Sequence, residues 1–151
     1  QPEGRGNRDR GRRRAHLELT ENTLIEASSR TIAQMTALRK LGVQVMIDNF
    51  GTGYASLSYL RNLPVSGLKI DQGFIRGLPD DRGNAAIMQA IMTLAEKLKL
   101  QVIAEGVETA QEMHALRELG CRMMQGHFIS AALPPQKLSE YLKKRELTGV
   151  V

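Results

Sequence analysis

The 151 residues read as an α/β chain organised around a parallel sheet. Two periodicities alternate along it: short apolar runs, and longer stretches with helical spacing. The runs are short and mostly apolar, as expected for strands buried on both faces, and the resulting order is β-α-β-α-β-α-β-α-β-α. Such an order implies right-handed βαβ units.

Each element follows from local features. The first β-run is His16–Thr20. Ile32, Met35, Leu38 and Leu41 then recur every third residue and predict a helix stopped by Gly42. The second β-run is Val43–Ile47 and the third is Gly67–Ile70. Ala86 to Leu98 predicts an amphipathic helix with Ile87, Ile91, Leu94, Ala95 and Leu98 on one face. Gln101–Ala104 is the fourth β-run. Thr109 with Glu112 forms a capping-box pattern for a helix that runs to Leu119 and ends at Gly120. Arg122–Met124 is the fifth run, and Pro134-Pro135 opens a last helix through Leu138 and Leu142. About five βα units result. They suit either an open doubly wound sheet or part of a (β/α)8 barrel, since a whole barrel takes about 250 residues.

Composition narrows the class. With 42% hydrophobic and 25% charged residues, the chain is neither wholly disordered nor collagen-like. A lone Cys121 allows no internal disulfide and fits a reducing compartment. No apolar run reaches membrane-span length and no signal-peptide pattern opens the sequence, so a cytoplasmic location is expected. The net charge of +5 is uneven. Arg5, Arg8, Arg10, Arg12, Arg13 and Arg14 face only Glu3 and Asp9 in residues 1–14, leaving the rest nearly neutral. That segment has no large apolar residue and reads as a disordered tail, with the folded domain at 15–151. It also lacks aromatic residues for base stacking, so no specific nucleic-acid partner is expected.

Polar residues fall at the ends of the β-runs. Glu18 lies in the first, Asp48 and Asn49 follow the second, Lys69 and Asp71 close the third, Glu105 follows the fourth and Gln125 the fifth. In parallel α/β folds the C-terminal strand edge binds ligands. Carboxylate oxygens without His or Cys partners suit a hard cation such as Mg²⁺ or Mn²⁺. His16, His114 and His127 have no ligand spacing and read as ordinary surface residues. Gly51-Thr52-Gly53 is a flexible turn that fits neither a P-loop nor a dinucleotide fingerprint.

Five segments taken together resemble the EAL-domain family of cyclic-di-GMP phosphodiesterases. They are Leu17-Glu18-Leu19-Thr20-Glu21, Ile47-Asp48-Asn49-Phe50-Gly51-Thr52-Gly53-Tyr54-Ala55-Ser56-Leu57, Leu68-Lys69-Ile70-Asp71-Gln72, Val102 through Thr109, and Gly120-Cys121 with Gln125-Gly126. The resemblance implies an incomplete TIM-type barrel binding Mg²⁺ or Mn²⁺, and hydrolysis of cyclic-di-GMP to linear pGpG. It implies Glu18, Asp48, Asn49 and Glu105 as metal ligands, and Lys69 and Glu105 as catalytic groups at the water and scissile phosphate. Glu21 would steady the loop from Asn49 to Leu57, Glu108 would support Glu105, and Gln125 would contact substrate.

Three departures from the family pattern bear on activity. The Glu-Ala-Leu signature is absent; the one Glu-Ala pair, Glu26-Ala27, is followed by Ser28. The family's Asn ligand on an earlier strand has no counterpart. Asn49 stands where the pattern has a second aspartate, which keeps the shape and loses the charge. Hydrolysis by this chain alone is therefore expected to be severely reduced. The alternative function is an inactive module that binds cyclic-di-GMP or a protein partner. The missing strands imply completion by a longer protein with a sensory or partner domain, or by a homodimer.

Overall fold

The computed structural model describes residues 15–25, 28–53 and 60–148. The arginine-rich segment and Glu26-Ala27 lie outside the described residues. Five strands form one sheet in the order β1-β2-β3-β4-β5: His16–Thr20, Gln44–Phe50, Gly67–Ile70, Gln101–Ala104 and Met123–Met124. The pairings β1–β2, β2–β3 and β4–β5 are parallel. A doubly wound sheet reverses strand order at a switch point, and this order never reverses. Sequential winding is the barrel type, which settles the choice that periodicity left open.

The described residues divide into two compact units. One holds those up to Ile70 with Thr93–Val102, the other Asp71–Met92 with those from Ile103 onward. In the first, α1 is Glu21–Ile25, a short helix the periodicity did not predict, and α2 is Ser29–Lys40. The Ser28 hydroxyl caps α2 by accepting from the Thr31 N–H, 3.3 Å away. Gly42 ends it with φ +89°, where a side chain would be strained. The core of this unit is β2 and β3: Val45, Met46, Ile47, Leu68 and Ile70 are all buried, on both faces of the sheet. Gly67 is required by close approach, because a Cβ there would lie 2.6 Å from the Gln101 carbonyl oxygen and the Met46 methyl.

Helix α3, Arg82–Leu98, is capped by Asp81, whose Oδ1 accepts from the Gly83 and Asn84 N–H groups at 2.9 and 3.0 Å. In the second unit, α4 is Ala110–Glu118 and α5 is Pro135–Thr148. The capping box of α4 forms as the sequence predicts. Thr109 accepts from the Glu112 N–H at 3.1 Å, and the Glu112 carboxylate accepts from the Thr109 N–H at 3.0 Å.

Four expectations are corrected in detail. Strand β2 runs on to Phe50, so Asp48 and Asn49 lie within it and do not follow it. Strand β5 is Met123–Met124, shorter than expected. Leu41 is 81% exposed and lies off the helix face assigned to it. Ile87 is 42% exposed, and the buried stripe of α3 is Met88, Ile91 and Ala95.

The burial pattern predicts opposite outcomes for two leucines. Leu68→Ala should cost about 3 kcal/mol, seen as a lower urea midpoint. Leu41→Ala should change stability by less than about 0.5 kcal/mol. A large loss at Leu41 would contradict the packing described.

Candidate functional site

Strand register brings three charged side chains of the first unit together. Glu18 pairs with Met46, Thr20 with Asp48, and Met46 with Gly67. Alternation then puts Glu18, Asp48 and Lys69 on one face of the sheet. Between Ile47 and Phe50 the β2–β3 register gains one residue, a β-bulge. Asn49 sits in that bulge with φ +53°, a left-handed conformation that asparagine tolerates better than most residues.

The Lys69 ammonium donates to Glu18 Oε2 at 2.8 Å and lies 3.2 Å from Asp48 Oδ1. Lys69 is only 7% exposed, so its charge must be compensated. The Glu18 side chain is 48% exposed and that of Asp48 25% exposed, so both face partly toward solvent. Asp48 Oδ1 is itself buried and accepts no hydrogen bond of good geometry; its close neighbour is the Lys69 charge. A buried carboxylate oxygen with unused lone pairs beside a second carboxylate fits a hard cation. Among the described residues, however, no three His, Cys, Asp or Glu side chains gather as a metal cluster. The donors on hand are Glu18 and Asp48, with the Asn49 amide next in sequence.

Glu21, buried at the start of α1, reaches the turn after β2. Its Oε2 accepts from the Gly51 N–H at 2.9 Å and from the Gly53 N–H at 3.2 Å. The Asn49 carbonyl closes the same turn by accepting from the Thr52 hydroxyl at 2.8 Å. The rest of the loop assigned to Glu21, residues 54–57, lies outside the described residues.

The second unit carries its own polar pair. The Gln125 N–H donates to the Ala104 carbonyl at 2.8 Å, and the Val107 N–H donates to the Gln125 carbonyl at 3.1 Å. These bonds set the Gln125 side-chain amide to donate to Glu105 Oε1. Gly126 is obligatory beside them, because a Cβ there would collide with the Val107 backbone. Glu108 faces Arg76, 3.6 Å away, and not Glu105. Asp71 takes the ordinary role of a cap, accepting from the Gly73 N–H at 2.7 Å.

The remaining candidates are not assembled into chemistry. His16, His114 and His127 are exposed, and His114 lies 3.4 Å from Glu118. Burial pushes the Cys121 thiol up from its ordinary value, which disfavours the reactive thiolate. No helix among the described residues is long and apolar enough to cross a membrane.

A sequentially wound parallel sheet with carboxylates and a buried lysine at its strand ends defines the class: an α/β protein of TIM-barrel type with an acidic strand-end site. Comparison with known proteins makes this specific. The EAL domain family matches residues 8–132, and the chain belongs to that family. It is 47% identical over 127 residues to the cyclic di-GMP phosphodiesterase NbdA of Pseudomonas aeruginosa, covering 84% of this chain and 16% of that protein. The crystal structure of the EAL domain of Mycobacterium smegmatis DcpA superimposes with a TM-score of 0.80 at 40% identity, over 85% of this chain and 58% of that one. Klebsiella pneumoniae BlrP1, solved as a manganese/cy-diGMP complex, gives a TM-score of 0.68 at 33% identity, over 74% of this chain and 28% of that one. The chain thus spans about a sixth of the curated relative and little more than half of the solved EAL domain.

The Glu21 contacts yield a local prediction. Glu21→Ala removes a charged acceptor from two backbone donors and should cost about 2 kcal/mol. Amide exchange at Gly51 and Gly53 should accelerate with it. Unchanged exchange at both glycines would show that the turn is held by something else.

Proposed function

We propose that this chain carries part of the site by which an EAL domain binds and hydrolyses cyclic-di-GMP, with hydrolysis by the chain alone severely reduced. The observation that carries this reading is the Glu18–Lys69–Asp48 cluster at the strand ends. Supporting it are the family match and the relatives that bind or hydrolyse cyclic-di-GMP.

Each residue has a role in this proposal. Glu18 and Asp48, with the amide oxygen of Asn49, would hold Mg²⁺ or Mn²⁺, and the family resemblance assigns Glu105 as a further ligand and catalytic carboxylate. A divalent cation supplies charge neutralisation at the phosphoryl oxygens and makes a bound water more acidic. Lys69 stabilises charge that develops on the phosphate as water attacks phosphorus and one phosphodiester P–O bond breaks, leaving linear pGpG. Glu21 positions the turn after β2. Gln125 holds Glu105 and contacts substrate, and Glu108 positions Arg76.

Charge counting is the ground for the proposed reduction in activity. Glu18, Asp48 and Lys69 sum to −1, and an aspartate at position 49 would make the cluster −2. A hard divalent cation takes six or more oxygen ligands, and several of them are normally charged. Two carboxylates already compensated by an ammonium hold it weakly. Asn49 is also the observation that favours the second reading, a module that binds cyclic-di-GMP without turnover.

The test is a turnover and binding assay of the purified chain with cyclic-di-GMP and Mn²⁺ or Mg²⁺. Saturable binding with little or no pGpG is expected. Asn49→Asp should raise turnover on the order of 10- to 100-fold. Absence of cyclic-di-GMP binding would refute the proposal, and full turnover by the unmodified chain would refute the ligand argument.

A further inference from the structure

The first unit has a cavity of about 450 Å³ at the opposite ends of its strands. Gln44 opens β2, Ser66 precedes β3 and Gln101 opens β4, and all three line it. Arg39, Arg61 and Lys99 line it as well, and none of its described lining residues is a carboxylate. None of these three cations forms an ion pair with a described residue. Gln44 and Asp48 are four steps apart along β2, about 13 Å, so this cavity is separate from the acidic cluster.

Two of the cations have a partial local explanation. Arg39 is in the last turn of α2, and Lys99 follows the end of α3, where positive charge complements the helix dipole. That accounts for the residue types but not for three cations meeting at one cavity. Two helix C-termini contribute about −0.5 charge each, against three full positive charges. The cavity is left with roughly +2, side-chain amides and a hydroxyl for hydrogen bonding, and a volume in the range of small-ligand sites.

We propose that this cavity binds a compact phosphorylated anion. Guanidinium groups match phosphoryl oxygens in a bidentate manner, and Lys99 adds a point charge. Gln44, Ser66 and Gln101 would orient the remaining oxygens. In barrel folds this face ordinarily serves stability, so a ligand here would act apart from the strand-end chemistry.

The probe is inorganic pyrophosphate, titrated into the full chain by calorimetry and by ¹⁵N NMR, in EDTA and without cyclic-di-GMP. These conditions make the result independent of the proposed hydrolysis. Saturable binding is expected, with the amide signals of Gln44, Ser66 and Gln101 shifting. Arg39→Gln combined with Arg61→Gln should weaken binding at least tenfold, and both side chains are exposed, so the fold should survive. A second arm uses adenosine 5′-diphosphate: tighter binding than pyrophosphate would identify a nucleotide as the ligand, and equal binding a phosphoryl anion alone. The variant keeps all six arginines of residues 1–14, so unchanged binding in it would assign the anion to that segment and overturn the proposal. No binding by the unmodified chain, or shifts confined to other residues, would overturn it as well. Should the double variant fail to fold, the NMR shifts of the unmodified chain decide the matter.

Discussion

A lysine ammonium that is almost fully buried cannot stand alone, and in this protein Lys69 draws one carboxylate from each of the two preceding strands. Its partners depend on strand register: a one-residue slip of β1 or β2 would turn Glu18 or Asp48 to the opposite face. Register and charge compensation therefore enforce each other. The bulge at Asn49 belongs to the same arrangement, because it inserts its extra residue immediately after Asp48 and leads the chain into the turn that Glu21 holds.

The same interaction limits the chemistry. Glu18 and Asp48 are the carboxylates proposed to hold a divalent cation, and Lys69 already satisfies part of their charge. In an EAL domain with a carboxylate at position 49 the cluster would retain more negative charge for a cation. With Asn49 the cluster of Glu18, Asp48 and Lys69 keeps a net charge of only −1.

The elements readable in the sequence are those fixed by local patterns. The first, third and fourth strands have the predicted bounds, because each is a short run of β-type residues flanked by turn or helix-start signals. The Thr109–Glu112 box was legible because its two hydrogen bonds lie within four residues. Leu41 was misplaced because a strict three-residue spacing drifts 60° per step on a helix, so from Ile32 to Leu41 it has crossed to the other side. Ile87 lies about 100° around the helix from the buried Met88. The bulge in β2 comes from pairing with β3, which no local pattern records. At the site, strand-end placement identified the polar residues, while their roles came from family resemblance. The Glu108–Arg76 contact and the convergence of Arg39, Arg61 and Lys99 join distant segments and left no motif to read.

Lys69 is locked between Glu18 and Asp48, the two carboxylates proposed to hold a cation. Lysine ¹⁵Nζ NMR of the full chain tests it most directly. A separate Lys69 ammonium signal should appear, protected from solvent exchange, and Mn²⁺ should broaden it before those of the exposed lysines. A Lys69 signal that exchanges like an exposed lysine, or one untouched while the others broaden, would contradict the account.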